Sequence, residues 1–422
     1  MKISTFAATV ALLSSSVRAS PAPPPPPPPQ PEEQTPLESD ALADQGLRNL
    51  RLFLDAQRVQ TACADPPGPP EQDAQQCTLE NAAVRREWSA LSEKEKKEYI
   101  AAVQCLSSKP SQTPSELAPG AKTRYDDFVA THINQTLSIH GTGNFLTWHR
   151  YFTWAYEQAL RNECGYTGYQ PYYNWPKWAD DPAQSPLFDG SDTSISGDGA
   201  FVAGRNATCI PSPAACNIIL PPGNGGGCIK SGPFKDFTVN LGPVAPTASN
   251  ISSNPLPNGL GYNPRCLRRD ISVNASSTWT PDPSVVDLLQ QSSTISDFAK
   301  TLQGDFPAGF LGVHTGGHFT IGADPGGDLF ASPGDPAFYF HHAAIDRAYW
   351  TWQNLDVENR MYVVGGSLTV NNMPPSRNTS LEDVISLGFV GVPDVTIRNK
   401  VKKWISPSCF VYIAEITAEA AT

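Results

Sequence analysis

Seven histidines are divided between two short stretches of this 422-residue chain, and their spacing is the strongest constraint on its fold. His132, His140 and His149 form one group, and His314, His318, His341 and His342 the other; the 164 residues between the groups contain none. His314 and His318 stand at i and i+4, so on a helix both rings project from one face, the spacing of two ligands on one metal. Asp335-Pro336 reads as a helix cap with proline at the first helical position, opening a helix through Gln353. His342 lies near its start and can supply a third ligand. His341 and His342 differ by about 100° around that helix, so they do not share one ion, and the other ring hydrogen-bonds nearby. In the first group, His132 and His149 each fall on an apolar stripe. Tyr125, Phe128, Val129 and His132 define one helix, and Phe145, Trp148, His149, Phe152 and Tyr156 the next. His140 is about half a turn out of phase with His149. Gly141 and Gly143 put it on the loop before that helix.

Two sets of three imidazoles result. A lone histidine on an apolar face is usually a hydrogen-bonded core residue, but two converging triads have the composition of metal sites. Imidazole suits copper, zinc, iron and nickel, whereas carboxylates suit harder ions. The acids within these motifs are Glu157, Asp324, Asp328, Asp335 and Asp346, and Asp335 is accounted for as a helix cap. Uncharged all-nitrogen ligation tolerates both oxidation states of copper. The expectation is two copper ions, each on three histidines, in a helical core.

The rest of the chain frames that core. Residues 1–19, with Lys2, an apolar run from Phe6 to Leu13 and Val17-Arg18-Ala19, read as a secretory signal. The stretch PAPPPPPPPQPEEQ (Pro21–Gln34) is extended and carries no core; we expect a linker or pro-segment over 20–46, a catalytic domain over 47–412 and a short tail over 413–422. No later segment is long and apolar enough to span a bilayer. The net charge is −11, or −11 − 2 = −13 once Lys2 and Arg18 leave with the signal. That disfavours nucleic acid and anionic membranes as partners. Nine cysteines without a CxxC spacing predict disulfides, not a zinc knuckle. Sequons at Asn134, Asn206, Asn250, Asn274 and Asn378 fit an extracellular location. Ser92 and Glu95 form a capping box for a helix to about Leu106, and a helical pattern returns over 284–303. Between Gly165 and Pro281, Gly, Pro, Ser and Asn predict long loops. Short alternating runs from Val395 to Ile416 predict a few strands.

Two motifs then carry a resemblance. HGTGNFLTWHRYFTWAYE (His140–Glu157) and DPAFYFHHAAIDR (Asp335–Arg347) resemble the two copper motifs of the tyrosinase, catechol oxidase and hemocyanin family, and the likeness extends from roughly Asn49 to Tyr412. It implies a mainly α fold: a four-helix bundle housing a dicopper (type 3) centre, with long disulfide-tied loops and a few short β-strands. It assigns His132, His140 and His149 to one copper and His314, His318 and His342 to the other. His341 is then a neighbour that supports the ligands. Phe410-Val411-Tyr412 resembles the aromatic pair that ends the catalytic core in this family. With ten residues after it, a short secreted fungal-type polyphenol oxidase without a C-terminal lid is expected.

Three positions depart from the family pattern. Ser138 replaces a cysteine that forms a thioether in many relatives, so no thioether is expected. Thr315 stands where tyrosinases often carry Asn or Asp, which with a nearby glutamate orients a water; the upstream candidates here are Gln303 and Asp305. A PYWDW segment appears as Pro171-Tyr172-Tyr173-Asn174-Trp175, without an assigned consequence. The resemblance implies oxidation of o-diphenols to o-quinones, with O2 reduced to water and weak or no hydroxylation of monophenols. Leu329 and Phe319 are expected to gate phenol access near the second copper. The alternatives are a true tyrosinase with substantial monophenolase activity and a hemocyanin-like O2 carrier without turnover. A dinuclear zinc hydrolase would be a third reading.

Overall fold

Local capping signals decide where most helices begin. The computed structural model describes residues 36–64, 78–247, 251–398 and 409–413, with backbone alone for 58–64. The expected signal, the proline run and the tail beyond Ile413 lie outside the described residues. Helix α1 is Glu38–Ala64, α2 Glu93–Ser108, α3 Arg124–Ile139 and α4 Phe145–Cys164. Further on come α5 Val273–Trp279, α6 Asp282–Gln291, α7 Ile295–Gln303, α8 Gly312–Ile321 and α9 Ala337–Leu355. Reciprocal capping boxes start α2 (Ser92 with Glu95), α3 (Thr123 with Asp126) and α7 (Thr294 with Asp297). Helix α4 stops at Gly165, whose φ of 71° is left-handed and whose N–H returns to the carbonyl of Arg161.

Two expectations are corrected. The linker does not run to residue 46, because α1 begins at Glu38. Its first turns are held by distant partners: Ser39 N–H donates to Asp282 (3.2 Å), and Arg347 pairs with Asp40 (2.6 Å). The helical pattern over 284–303 is two helices, since the Thr294 cap interrupts it. A third difference is small. Asp335 precedes the helix by one residue more than expected, yet its Oδ1 still accepts the N–H of Ala337 (2.8 Å).

Helices α3, α4, α8 and α9 form the four-helix core. Phe128, Phe152, Tyr156, Phe338 and Tyr339 interdigitate at its centre, all buried, with Tyr156 and Tyr339 stacked face to face. Outside it, Ala83–Arg86 pairs in parallel with Phe410–Ile413, Ala83 opposite Phe410. This brings Arg85 under Phe410 and against Tyr412. Between α4 and α5 the chain is mostly loop with short two-stranded pieces, as its composition predicts. Disulfides Cys209–Cys216 and Cys228–Cys266 tie those loops, and Cys105–Cys164 joins α2 to α4. The last closes a separation of 59 residues, worth about 4 kcal/mol on a chain-entropy model. The Asn174 departure has a physical reason: its amide donates to the Asp40 carboxylate at 3.1 and 3.2 Å, where an aspartate would repel it.

Candidate metal centre

Each histidine of the first group arrives on a different part of the core. His132 projects from the middle of α3 and His149 from the first turns of α4, while His140 caps the C-terminus of α3. The turn after His140 uses Gly141 at φ 59°, where a Cβ would come within 3.1 Å of Asn371 Oδ1. All three rings fix one nitrogen on a carbonyl. Nδ1–H of His132 donates to Phe330 O (2.8 Å), that of His140 to Thr136 O (3.0 Å) and that of His149 to Phe145 O (2.8 Å). A carbonyl only accepts, so these hydrogen bonds set the tautomer and leave each Nε2 with a free lone pair. Nε2 of His132 and of His149 is buried and has no hydrogen-bond partner among the described residues.

The second group lies on α8 and α9. His318 Nδ1–H donates to Gly326 O (3.3 Å), and its Nε2 faces His342 Nε2 at 3.2 Å. Among the described residues, both ring nitrogens of His314 are buried without a hydrogen-bond partner, as is Nδ1 of His342. His341 differs. Its Nδ1 accepts the indole N–H of Trp175 (3.0 Å), and its Nε2–H donates to His314 O (2.9 Å), so both nitrogens are used. The two groups adjoin: the rings of His149 and His342 stack with centroids 4.6 Å apart. Within each group, one candidate ligand atom per residue lies within 4.8 Å of the others.

Uncompensated lone pairs in a dry core are costly, and a bound cation on each set resolves that cost. The nearby acids are already engaged. Glu157 binds Arg85, Asp324 binds Arg265, Asp335 binds Arg269, and Asp346 binds Arg150, Arg85 and Tyr412. Asp328 accepts N–H groups from Val244, Ala245, Phe330 and Ala331, which also places the Phe330 carbonyl against His132. None of the five carboxylates joins either cluster. Neutral nitrogen donors alone fit copper better than a hydrolytic zinc pair.

Burial first, and neighbouring imidazoles second, hold the rings neutral. His140 is lowered to about 4 and His318 to about 3, by burial above all, and the other five lie well below the ordinary value. An unfolded chain takes up these protons near pH 6.5, the folded one only further down. Metal-free protein should therefore be most stable above about pH 6.5 and lose stability as the pH falls toward 4. Asp198, raised to about 6 mainly by burial, acts in the opposite direction, as do Asp44, Glu87, Asp126 and Asp328, which burial also raises; the seven histidines outnumber these five carboxyls. The expected result is a lower urea midpoint for the apoprotein at about pH 5 than at pH 7; a flat profile contradicts burial of neutral imidazoles.

The remaining sequence candidates sit as follows. Thr315 Oγ1–H donates to the backbone carbonyl of Gln303 (2.8 Å). Gln303 gives its amide N–H to Ala299 O (3.1 Å) and accepts Gly141 N–H on Oε1 (2.8 Å), tying α7 to the turn after His140. Asp305 pairs with Lys300 (2.8 Å). Leu329 is 43% exposed beside the loop that supports His132. Phe319 is not brought to the histidines: it packs against a separate small core of Ile210, Ile218, Leu220, Ala275 and Leu311. From sequence, Trp175 appears only as the end of the Pro171–Trp175 segment, with no role assigned, and the Phe330 carbonyl is not singled out. Tryptophan after a proline-aromatic run was the only available signal for Trp175, and a carbonyl contact leaves none.

Residues 122–355 match the family model described as the common central domain of tyrosinase. Tyrosinase-like protein orsC of Emericella nidulans is 47% identical over 302 residues, covering 69% of this chain and 79% of that protein. Tyrosinase P of Aspergillus terreus is 40% identical over 331 residues, covering 78% and 91%. The solved structure of a mutant polyphenol oxidase from Thermothelomyces thermophila is 40% identical, covers 89% of this chain and 97% of its own, and superimposes with a TM-score of 0.80. With two adjoining sets of neutral imidazoles and these relatives, the chain belongs to the tyrosinase family, as a copper oxidoreductase with a dinuclear type 3 centre.

Proposed function

We propose that this protein is a secreted catechol oxidase that converts o-diphenols to o-quinones, two catechols per O2 reduced to two waters, with weak hydroxylation of monophenols. His132, His140 and His149 hold one copper, and His314, His318 and His342 the other; His341 holds none. Bound copper supplies the redox couple and the Lewis acidity that lowers the phenol pKa. The protein holds the rings at set angles through the carbonyls of Phe330, Thr136, Phe145 and Gly326. Leu329 borders the phenol entrance.

One observation carries the preference for diphenols. The Thr315 proton is committed to Gln303 O, both ends of the Gln303 amide are engaged, and Asp305 is paired with Lys300. None of these three groups is left free to take the proton of a monophenol as general base. A catechol binds copper more readily without that help. Copper-loaded protein should oxidise 4-tert-butylcatechol much faster than it hydroxylates the matching monophenol. Thr315→Asn should raise the monophenol rate relative to the diphenol rate by up to roughly 100-fold, the low side of general-base contributions. Equal rates in the unaltered protein would instead favour the true-tyrosinase reading, which the relative named tyrosinase P keeps as the alternative.

Secretion is supported by the disulfides and by the exposure of the sequon asparagines Asn134, Asn206, Asn274 and Asn378. Protein recovered from the medium of an expressing eukaryotic host should lose mass on enzymatic deglycosylation. Retention inside the cell with no glycan would oppose secretion.

A further inference from the structure

The second cluster brings four imidazoles together, His314, His318, His341 and His342, with candidate ligand atoms all within 4.8 Å. A type 3 copper needs three. His341 is 1% exposed, so its ring cannot turn away into water. Gly317 gives it room over α8: a Cβ there would lie 2.2 Å from His341 Cε1. Its ring runs nearly parallel to that of His314, with centroids 5.8 Å apart. Position alone therefore does not exclude it from the metal.

Hydrogen bonding does. The indole N–H of Trp175 donates to Nδ1 of His341, and an indole nitrogen is a donor only. Nδ1 must then carry the lone pair and Nε2 the proton, which goes to the carbonyl of His314. The two residues before Trp175 are themselves anchored. Tyr173 N–H donates to Phe340 O (3.2 Å), the residue before His341, and Asn174 is tied to Asp40. The indole is 3% exposed, so water does not compete for the bond.

We propose that Trp175 is a positioning residue that selects the ligand set. By fixing the His341 tautomer it keeps that ring off the second copper and anchors the backbone of His314 beneath its own imidazole. Without the indole N–H, the lone pair on Nδ1 is buried and unsatisfied. The ring can then exchange tautomers, lose the His314 carbonyl and compete for the ion.

This rests on the dicopper assignment above, and the test separates the two. Full-length protein loaded with Cu(I) is titrated with a competing chelator, and the copper retained per chain is read by metal analysis. Unaltered protein releasing fewer than two coppers would defeat the dicopper assignment itself. Trp175→Phe should release one copper at roughly 10- to 100-fold lower chelator, the usual range for groups that support metal ligands, with the other unchanged. His341→Gln should behave like the unaltered protein, since its amide can accept from Trp175 and donate to His314 O. Both coppers weakening equally in Trp175→Phe, or neither, overturns the proposal, as does loss of the second copper in His341→Gln. Should Trp175→Phe fail to fold, His341→Gln against His341→Phe decides. Selective weakening in the phenylalanine variant alone, which has no ring to compete but loses the bond to His314 O, supports the anchoring of His314 through this network, and equal behaviour of the two overturns the proposal.

Discussion

Replacing His149 with asparagine is expected to leave the fold intact, remove one of two coppers and abolish catechol oxidation. His149 stands at the junction of the two clusters, its Nδ1–H on the Phe145 carbonyl and its ring 4.6 Å from that of His342. Asparagine is too short to keep the carbonyl bond and still reach the point on which Nε2 of His132 converges. Groups that merely support ligands cost 10- to 100-fold in affinity or activity when removed, so losing a ligand should lower turnover by more than roughly 100-fold. Metal analysis and far-ultraviolet circular dichroism on the purified variant check this together. Retention of two coppers with normal turnover would remove His149 from the ligand set.

The second large effect is on stability. Asp346 accepts from Arg150, Arg85 and the hydroxyl of Tyr412, and the residues are all but fully buried. Burial works against the charge of Arg85, but Glu157, Tyr412 and Asp346 hold it protonated all the same. Asp346→Ala strands the Arg150 guanidinium, which among the described residues keeps Gln353 alone as a side-chain hydrogen-bond partner. It also halves the carboxylate neighbours of Arg85. Breaking one side of a buried ion pair typically costs about 3–5 kcal/mol, and that is the loss expected in urea unfolding of the metal-free protein. Asp346→Asn, which keeps shape and hydrogen-bonding atoms, should cost less. A loss below about 1 kcal/mol for the alanine variant, the range of an exposed pair, would mean that this hub does not hold the core together.

What the sequence disclosed follows from the range of each interaction. The i, i+4 pair His314 and His318, the apolar stripes carrying His132 and His149, and the Ser92–Glu95 box are all written within one or two helical turns. Those features were legible. The start of α1 was not, because in Glu38–Asp44 the three acids obscure the beginning of the stripe that Ala43, Leu47, Leu50 and Leu54 continue; partners hundreds of residues away, Asp282 and Arg347, hold it. The break at Ser292–Thr294 did have a local signal, a capping box closed by Asp297 in place of the commoner Glu or Gln. Arg85 illustrates the opposite case. An arginine in a four-residue strand reads as surface, and only the pairing with Phe410–Ile413 buries it against Glu157 and Asp346. In the site, adjacency of His341 and His342 posed the question of which one binds. Trp175, 166 residues away in sequence, bears on the answer and could not be paired with His341 from spacing.

The most direct test of the whole account is anomalous diffraction at the copper edge from crystals of the copper-loaded protein. Two peaks are predicted, one bonded to His132, His140 and His149 and the other to His314, His318 and His342. A single peak, or one bonded to His341 or to any carboxylate, would contradict it.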